Sequence, residues 1–417
     1  MKGFFVFLAF SLCLFGENQT LDYLLKASKD NPLLHAKNLQ SEAAKKEKQA
    51  LYSLYLPRIE VGYNAQKLQN PDIFYPKSIE GAYIEANWLL FDGLKREGKL
   101  KMGELKEKMS NLEALSTQEQ IYLEIIRGFY GVLTLEGRLN ALKVKEKELL
   151  ENSQKFSTLH LAGLAPKDTL EAIKAELFKS SYEIEELGVV LKKARENLSL
   201  LSGVAITTLK EESLKEIYAL EPKDRLDLQA NLQKVKIKKE ESSQYNYLPT
   251  IVLNNRYTDY HYGTREIPTL PFSFKIEDPE YQNIFGIHIS LVVFDSFSTH
   301  LQKEAKRIEH LAANSEYSYQ KDSQKRERLI AEYALKSAKE RISWAKQSLE
   351  SAKIAYFYAK DKFEAQLIDY TQYLNALSTY FSAKGFYDEA RFAYEIKKAE
   401  FVYYSGGNLE SFVGGAQ

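Results

Sequence analysis

Ten prolines punctuate the chain, and the stretches without them decide what it can become. None lies between Pro76 and Pro166, between Pro166 and Pro222, or after Pro279. Proline interrupts helices, so these gaps are helical territory. From Gly93 to Leu161 apolar residues recur at four-three spacing: Leu105, Met109, Leu112, then Ile125, Phe129, Val132, then Leu135, Leu139, Leu142, with Lys and Glu between. That is a coiled-coil seam. A helix of roughly 70 residues would be on the order of 100 Å long, and it needs partner helices along its whole length.

Two segments alternate with period 2 and so predict strands. Over Arg58 to Gln66, Ile59, Val61, Tyr63 and Ala65 alternate with polar residues and Gly62. From Ala82, the set Ala82, Ile84, Ala86, Trp88, Leu90 alternates with Tyr83, Glu85 and Asn87. The second division is the one a membrane barrel strand shows between lipid and lumen, which makes Tyr83, Glu85 and Asn87 lumen candidates. A proline-containing loop, Leu68 to Ser78, joins the two strands.

The chain repeats itself. Trp88-Leu-Leu-Phe91-Asp92-Gly93 recurs as Leu291-Val-Val-Phe294-Asp295-Ser296, 203 residues on, each predicting a strand that runs into a long helix. The same step carries Ala162-Gly163-Leu164 onto Ala365-Gln366-Leu367 and preserves the parity of Phe285, Ile287, Ile289, Leu291 and Val293. His288 and Ser290 then share the lumen parity. Tyr55-Leu56-Pro57 recurs as Tyr247-Leu248-Pro249 after 192 residues, so the second hairpin is longer, around Gly263 to Glu280. Residues 17–202 form repeat one, with a β-hairpin over 57–92, a long helix, a tip at 162–168 and a returning helix. Residues 203–220 connect it to repeat two, 221–404, with a hairpin over 249–295 and a tip at 365–372. The tail, 405–417, contains several glycines and is expected to be flexible. Four strands per chain cannot close a spanning barrel, since known barrels start at about eight. Two chains or three would suffice.

Composition narrows the chemistry. With 57 Lys+Arg against 57 Asp+Glu there is no basic field to hold nucleic acid. Met1 and Lys2, the apolar run Phe4 to Phe15 and then Gly16 have the layout of a secretory signal, with cleavage expected after Gly16 and residues 1–16 removed. Cys13 is the sole cysteine and leaves with that segment, so no thiol chemistry is expected. His35, His160, His261, His288, His300 and His310 show no metal-ligand spacing. No phosphate-binding glycine loop and no catalytic pair is visible, so neither a cofactor nor an enzyme activity is expected. Tyr63, Tyr83, Tyr257 and Tyr260 are candidates for barrel girdles; Tyr356, Tyr358, Tyr380 and Tyr387 are expected to pack helices.

The duplicated L-L-F-D-G and V-V-F-D-S junctions, with A-G-L-A-P-K-D-T-L-E-A and A-Q-L-I-D-Y-T-Q-Y-L-N-A at the far turns, resemble the TolC family of outer-membrane efflux proteins. The resemblance covers Thr20 to about Tyr404. It implies a mainly α chain with a small β part: a homotrimer whose 12-stranded β-barrel sits in outer-membrane lipid and whose coiled-coil helices form a periplasmic tunnel. It also implies a periplasmic adaptor protein and an inner-membrane RND or ABC transporter as partners, with drugs, small molecules or polypeptides as cargo. The tips would dock the adaptor through Gly163, Leu164, Ala165, Gln366, Leu367 and Ile368; Gly163 and Leu164 also fit a plain helix cap. Family members narrow the entrance with acids on the second returning helix. This chain departs, with amides at Gln372 and Asn375 and an acid one turn nearer the tip, Asp369. A ring of Asp369, Gln372 and Asn375, with Asp168 and Glu171 nearby, is the expected gate, against the plainer reading of a solvated helix face. A protein-secretion exit has the same fold. A secreted structural coiled-coil protein with a small soluble sheet is the alternative of another class, and it leaves the duplicated parity unexplained.

Overall fold

The computed structural model describes residues 19–70, 75–217, 220–264 and 277–414. The signal segment and the middle of both hairpin loops lie outside these. In chain order the elements are α1 (Leu21–Ala27), α2 (Pro32–Tyr52), β1 (Arg58–Lys67), β2 (Ser78–Phe91), α3 (Lys95–Leu161), α4 (Lys167–Ser202), α5 (Leu226–Ser243), β3 (Thr250–Tyr262), β4 (Tyr281–Ser290), α6 (Ser298–Glu364) and α7 (Tyr370–Tyr404). Both proline-free gaps that follow a hairpin open with a continuous helix of 67 residues. In each half of the chain a helix, a hairpin, a long helix, a turn and a returning helix follow one another.

The chain forms two compact units. One spans Asn38–Leu112 and Gln229–Tyr319 and contains an antiparallel sheet of order β1-β2-β3-β4. The strands enter their helices through a turn that both repeats share. Asp92 accepts from the Arg96 N–H at 3.3 Å, and Asp295 accepts from the Thr299 N–H at 2.8 Å. Each aspartate thereby satisfies one of the donors a helix start leaves unpaired. Two left-handed residues precede each helix: Gly93 (φ 73°) and Leu94 (65°), then Ser296 (54°) and Phe297 (65°). Glycine is required at 93 by space as well, because a Cβ there would lie 2.8 Å from Asn246 Oδ1.

The second repeat differs at its junction. The sequence predicts a strand running through Phe294, yet β4 ends at Ser290 and residues 291–295 are irregular. The reason is pairing: in repeat one Trp88, Leu89 and Phe91 lie against Leu253, Val252 and Ile251 of β3, whereas β4 is an edge strand and its only neighbour, β3, begins at Thr250.

The other unit gathers residues up to Lys37, Glu113–Leu228 and those from Gln320 on. Its first core buries the middle of the α3 seam, Ile125, Phe129 and Val132, against Leu24 of α1, Leu198 of α4 and Val402 of α7. The C-terminal segment belongs to this core, which corrects the expected flexible tail. A short 3₁₀ turn, Leu409–Phe412, buries Leu409, and Val413 follows it inside. The Leu409 N–H donates to Glu119 at 3.0 Å, and Lys215 donates to the Ser411 carbonyl at 2.9 Å. The glycines that suggested flexibility at 406 and 407 serve close packing: a Cβ on Gly407 would lie 2.8 Å from Val402. A second core, nearer the turns, holds Leu149, Ile173, Tyr356, Tyr373 and Leu377. Tyr358, by contrast, is largely exposed.

Candidate functional site

Two places bear on function, the faces of the sheet and the two helical turns. The register puts Tyr83, Glu85 and Asn87 of β2 opposite Thr258, Arg256 and Asn254 of β3, and Asn254 opposite Gly286 of β4. With period 2, His288 and Ser290 fall on the same face, so the five lumen candidates share one side. Arg256, which the sequence reading passed over because Asn255 and Asp259 blur the alternation of β3, sits at its centre. Its guanidinium lies 3.5 Å from Glu85 and 4.0 Å above the Tyr83 ring. Asn87 donates to Glu85 at 2.7 Å, and the Tyr83 hydroxyl donates to Glu60 at 3.3 Å. Three strands are thus tied by one charged and aromatic network, of the kind that cation–π contact strengthens when water is scarce. Ile284, opposite Arg256, is an apolar member of this face.

The other face is apolar and open. Ile59, Val61, Tyr63, Ile84, Trp88, Ile287 and Ile289 are all exposed there. Its ionisable members, Lys67, Glu80, Asp259 and His261, gather at the loop end of the strands, where Glu80 accepts from the Tyr63 hydroxyl at 2.7 Å, and Asn255 donating to Asn283 at 2.8 Å forms a polar pair on the same face. Of the proposed girdle tyrosines, Tyr63 and Tyr257 lie on this face, while Tyr83 and Tyr260 lie on the polar one, with Tyr260 donating to Gln282. An open apolar sheet face of this extent would promote aggregation in water.

The turns are built alike. At the end of α3 the Gly163 N–H donates to the His160 carbonyl (2.9 Å) and the Leu164 N–H to the Leu159 carbonyl (2.8 Å). At the end of α6 the Gln366 N–H donates to Phe363 (3.0 Å) and the Leu367 N–H to Lys362 (2.8 Å). Both are Schellman caps with the left-handed residue at 163 or 366, φ 76° and 58°. Such a cap ordinarily covers the apolar residue that follows it, yet Leu164 is 74% and Leu367 73% exposed. The cap and an available leucine therefore coexist. Ala165 is half-buried and its carbonyl lies 2.9 Å from His160 Nδ1, a clip the second turn lacks. Ile368 packs against the second core and so contributes little to an outward surface.

Asp369 caps α7: its carboxylate accepts from the Gln372 N–H at 2.8 Å. Gln372 and Asn375 are exposed and follow it at i+3 and i+6, so the three lie along one side of the helix. Asp168 accepts from the Thr169 N–H, and Glu171 pairs with Lys174 at 3.0 Å, which offsets its charge. Behind this surface α3, α6 and α7 converge on Glu148. It accepts from the Tyr373 hydroxyl at 2.6 Å, from Lys360 at 3.1 Å and from the Tyr356 hydroxyl. Burial, reinforced by the hydrogen bond to Glu148, pushes both phenols well above their ordinary range. Partners more than 200 residues apart leave no mark in the sequence.

No protein-family model matches the sequence, and neither does any curated protein. Solved structures do. The outer membrane protein VceC of Vibrio cholerae aligns with TM-score 0.81 at 12% identity, over 93% of this chain and 96% of its own. The CmeC outer membrane channel of Campylobacter jejuni aligns with TM-score 0.82 at 15% identity, over 92% and 85%. The MtrE outer membrane channel of Neisseria gonorrhoeae, in its open state, aligns with TM-score 0.77 at 15% identity, over 93% and 89%. The chain therefore has the TolC-family fold across nearly its whole length.

Proposed function

We propose that the protein is the outer-membrane exit duct of a tripartite efflux pump, three copies closing a barrel of twelve strands. One observation carries this reading: a four-stranded sheet with an exposed apolar face, a charged opposite face and two open edges. In lipid the apolar face is solvated, and the edges must pair with other strands because no water is there to bond them. A soluble coiled-coil protein would leave both uncompensated. The similarity to outer membrane proteins of three bacteria, two of them channels, supports the same location; the helices would then stand in the periplasm. A periplasmic adaptor would dock at Leu164 and Leu367, and an inner-membrane transporter would supply the energy. Native mass of the protein extracted from outer membranes in mild detergent tests this. Three copies with a measurable single-channel conductance are expected; a soluble monomer or dimer missing from that membrane overturns the duct.

Within the duct, Asp369, Gln372 and Asn375 line the entrance. Carboxylates repeated around a narrow mouth attract cations. Because Asp369 also caps α7, Asp369→Ala mixes two effects, and Asp369→Asn separates them by keeping a capping oxygen while removing the charge. Asp369→Asn is expected to lower the cation-over-anion permeability ratio with no change in thermal stability, whereas Asp369→Ala loses about 1 kcal/mol as well. An unchanged permeability ratio in Asp369→Asn removes this residue from the gate.

A further inference from the structure

Glycine weakens a strand, because it packs no side chain and loses the most backbone freedom on folding. The described strands nevertheless contain Gly62, Gly81 and Gly286, and the register places all three on the face of Glu85 and Arg256. Among the described strand residues the apolar face has none. In each case the space a side chain would take is already filled. A Cβ on Gly62 would fall onto the ring and hydroxyl of Tyr83, and one on Gly286 would lie 2.6 Å from Asn254 Oδ1. One on Gly81 would meet the Asp259 carbonyl at 2.7 Å and the Tyr260 ring at 3.3 Å.

Tyr83 is the cross-strand partner of Gly62, so its ring lies over the β1 backbone and not out from the sheet. Tyr63, the next residue along β1, shows the alternative. It faces Ala82 on the apolar side and is 63% exposed, whereas Tyr83 is half-buried. Thr258, on the other flank of Tyr83, is buried although its face is open. Side chains on this face therefore pack along the wall. The lowered ring also places charge. Its hydroxyl donates to Glu60, the Arg256 guanidinium lies over it, and Arg256 pairs with Glu85. Glu60 in turn pairs with Arg58 at 3.3 Å. The formally charged side chains of this face in the strands, Arg58, Glu60, Glu85 and Arg256, are thus two of each sign, each with an opposite partner on the same sheet.

Resting on the duct reading above, we infer that Gly62, with Gly286 two lumen rows nearer the helices, sets the clear width of the barrel: Tyr83 and Asn254 lie along the wall in the room these glycines leave, with the paired charges beside them. The barrel is then a broad bore with balanced wall charge, suited to bulky cargo of either sign, and discrimination falls to the helical entrance. Glycine in a barrel strand has a second use, easing a bend. The two roles differ in whether Tyr83 matters. A residue added at 62 narrows the bore only if it lifts the tyrosine off the wall.

Access to a cysteine beyond both rows reads the width. His288 lies on this face, one lumen row nearer the helices than Gly286. In a Cys13→Ser background, His288→Cys is labelled on intact cells by maleimides carrying polyethylene glycol chains of graded length, so that reagent arrives from the loop end of the barrel. The longest reagent that labels this parent is expected to fail once Gly62→Val is added, and to label again when Tyr83→Ala accompanies Gly62→Val. Gly62→Ala is expected to lower the length limit less, and it is read in place of the valine variant if Gly62→Val is not recovered from outer membranes. An unchanged limit in the recovered variant overturns the inference. A lowered limit that Tyr83→Ala does not restore also overturns it, and leaves the glycine as a bend. Absence of the parent from outer membranes, or a parent that no reagent labels at any length, overturns the duct reading instead.

Discussion

Arginine in place of Ile287 or Ala86 is expected to remove most of the protein from the assembled outer-membrane fraction, while Asn87→Arg leaves assembly intact. Ile287 and Ala86 lie on the apolar face of β4 and β2; Asn87 neighbours Ala86 in sequence but points to the side of Glu85 and Arg256. An arginine facing lipid at the middle of the bilayer costs about 2–4 kcal/mol, and a lumen substitution costs little. In the three-copy barrel proposed above the substitution enters once per copy, which amounts to about 6–12 kcal/mol if the sites are independent. That is comparable to the whole stability of an ordinary domain. The measurement is the share of each variant recovered as the three-copy particle from outer membranes. Asn87→Arg should instead change ion preference, since it adds a cation beside Glu85 and directly across from Arg58. Full recovery of Ile287→Arg would mean that this face meets water or protein.

The strands and long helices were legible because each rests on local periodicity. Alternation at Ile59 to Ala65 and at Ala82 to Leu90 fixes which side chains share a face, and the sheet obeys it. The seam at Ile125, Phe129 and Val132 fixes the buried side of α3. The turns were half legible: Gly163 announces a left-handed cap, but Gln366 adopts the same conformation without the glycine that would signal it. Where sequence reading failed, the deciding partner was distant. β4 stops at Ser290 although Leu-Val-Val-Phe favours a strand, because no neighbouring backbone continues beside it. The tail packs because Leu409, Phe412 and Val413 meet a core assembled from α1, α3 and α7, and two adjacent glycines obscured that apolar content. Asp369 could be seen as an acid near a turn, but its capping bond follows from where α7 begins.

Lys398 is the clearest case of a role set by distant partners, and Lys398→Met is expected to be the most destabilising single change in the helical unit. Its side chain is 1% exposed, and Nζ donates to the Leu214 carbonyl at 2.8 Å while pairing with Glu395 at 2.9 Å and Glu216 at 3.2 Å. Glu395 also accepts from the Leu214 N–H at 2.8 Å, so one ion pair holds both backbone groups of a residue in the irregular crossing segment, residues 203–220, that connects the repeats. Methionine fills similar space but leaves a buried carboxylate without its cation, a loss of about 3–5 kcal/mol. Burial, the dominant influence on Glu395, already pushes its carboxyl above the ordinary range. Stability contributed by a carboxyl raised in this way is complete below its unfolded-state range and declines as pH rises through the raised value. Without Lys398 the carboxyl rises further, so the deficit of Lys398→Met against the unmodified protein should be larger at about pH 7.5 than at about pH 5. Adding Glu395→Leu to Lys398→Met removes the stranded charge and should recover part of the loss, whereas Glu395→Leu alone leaves Lys398 paired with Glu216 and takes the acceptor from the Leu214 N–H. Thermal unfolding followed by helical circular dichroism at the two pH values distinguishes these cases. A pH-independent deficit, or none, would mean that Lys398 acts through packing of its stem and that the buried pair does not fasten the crossing segment to α7.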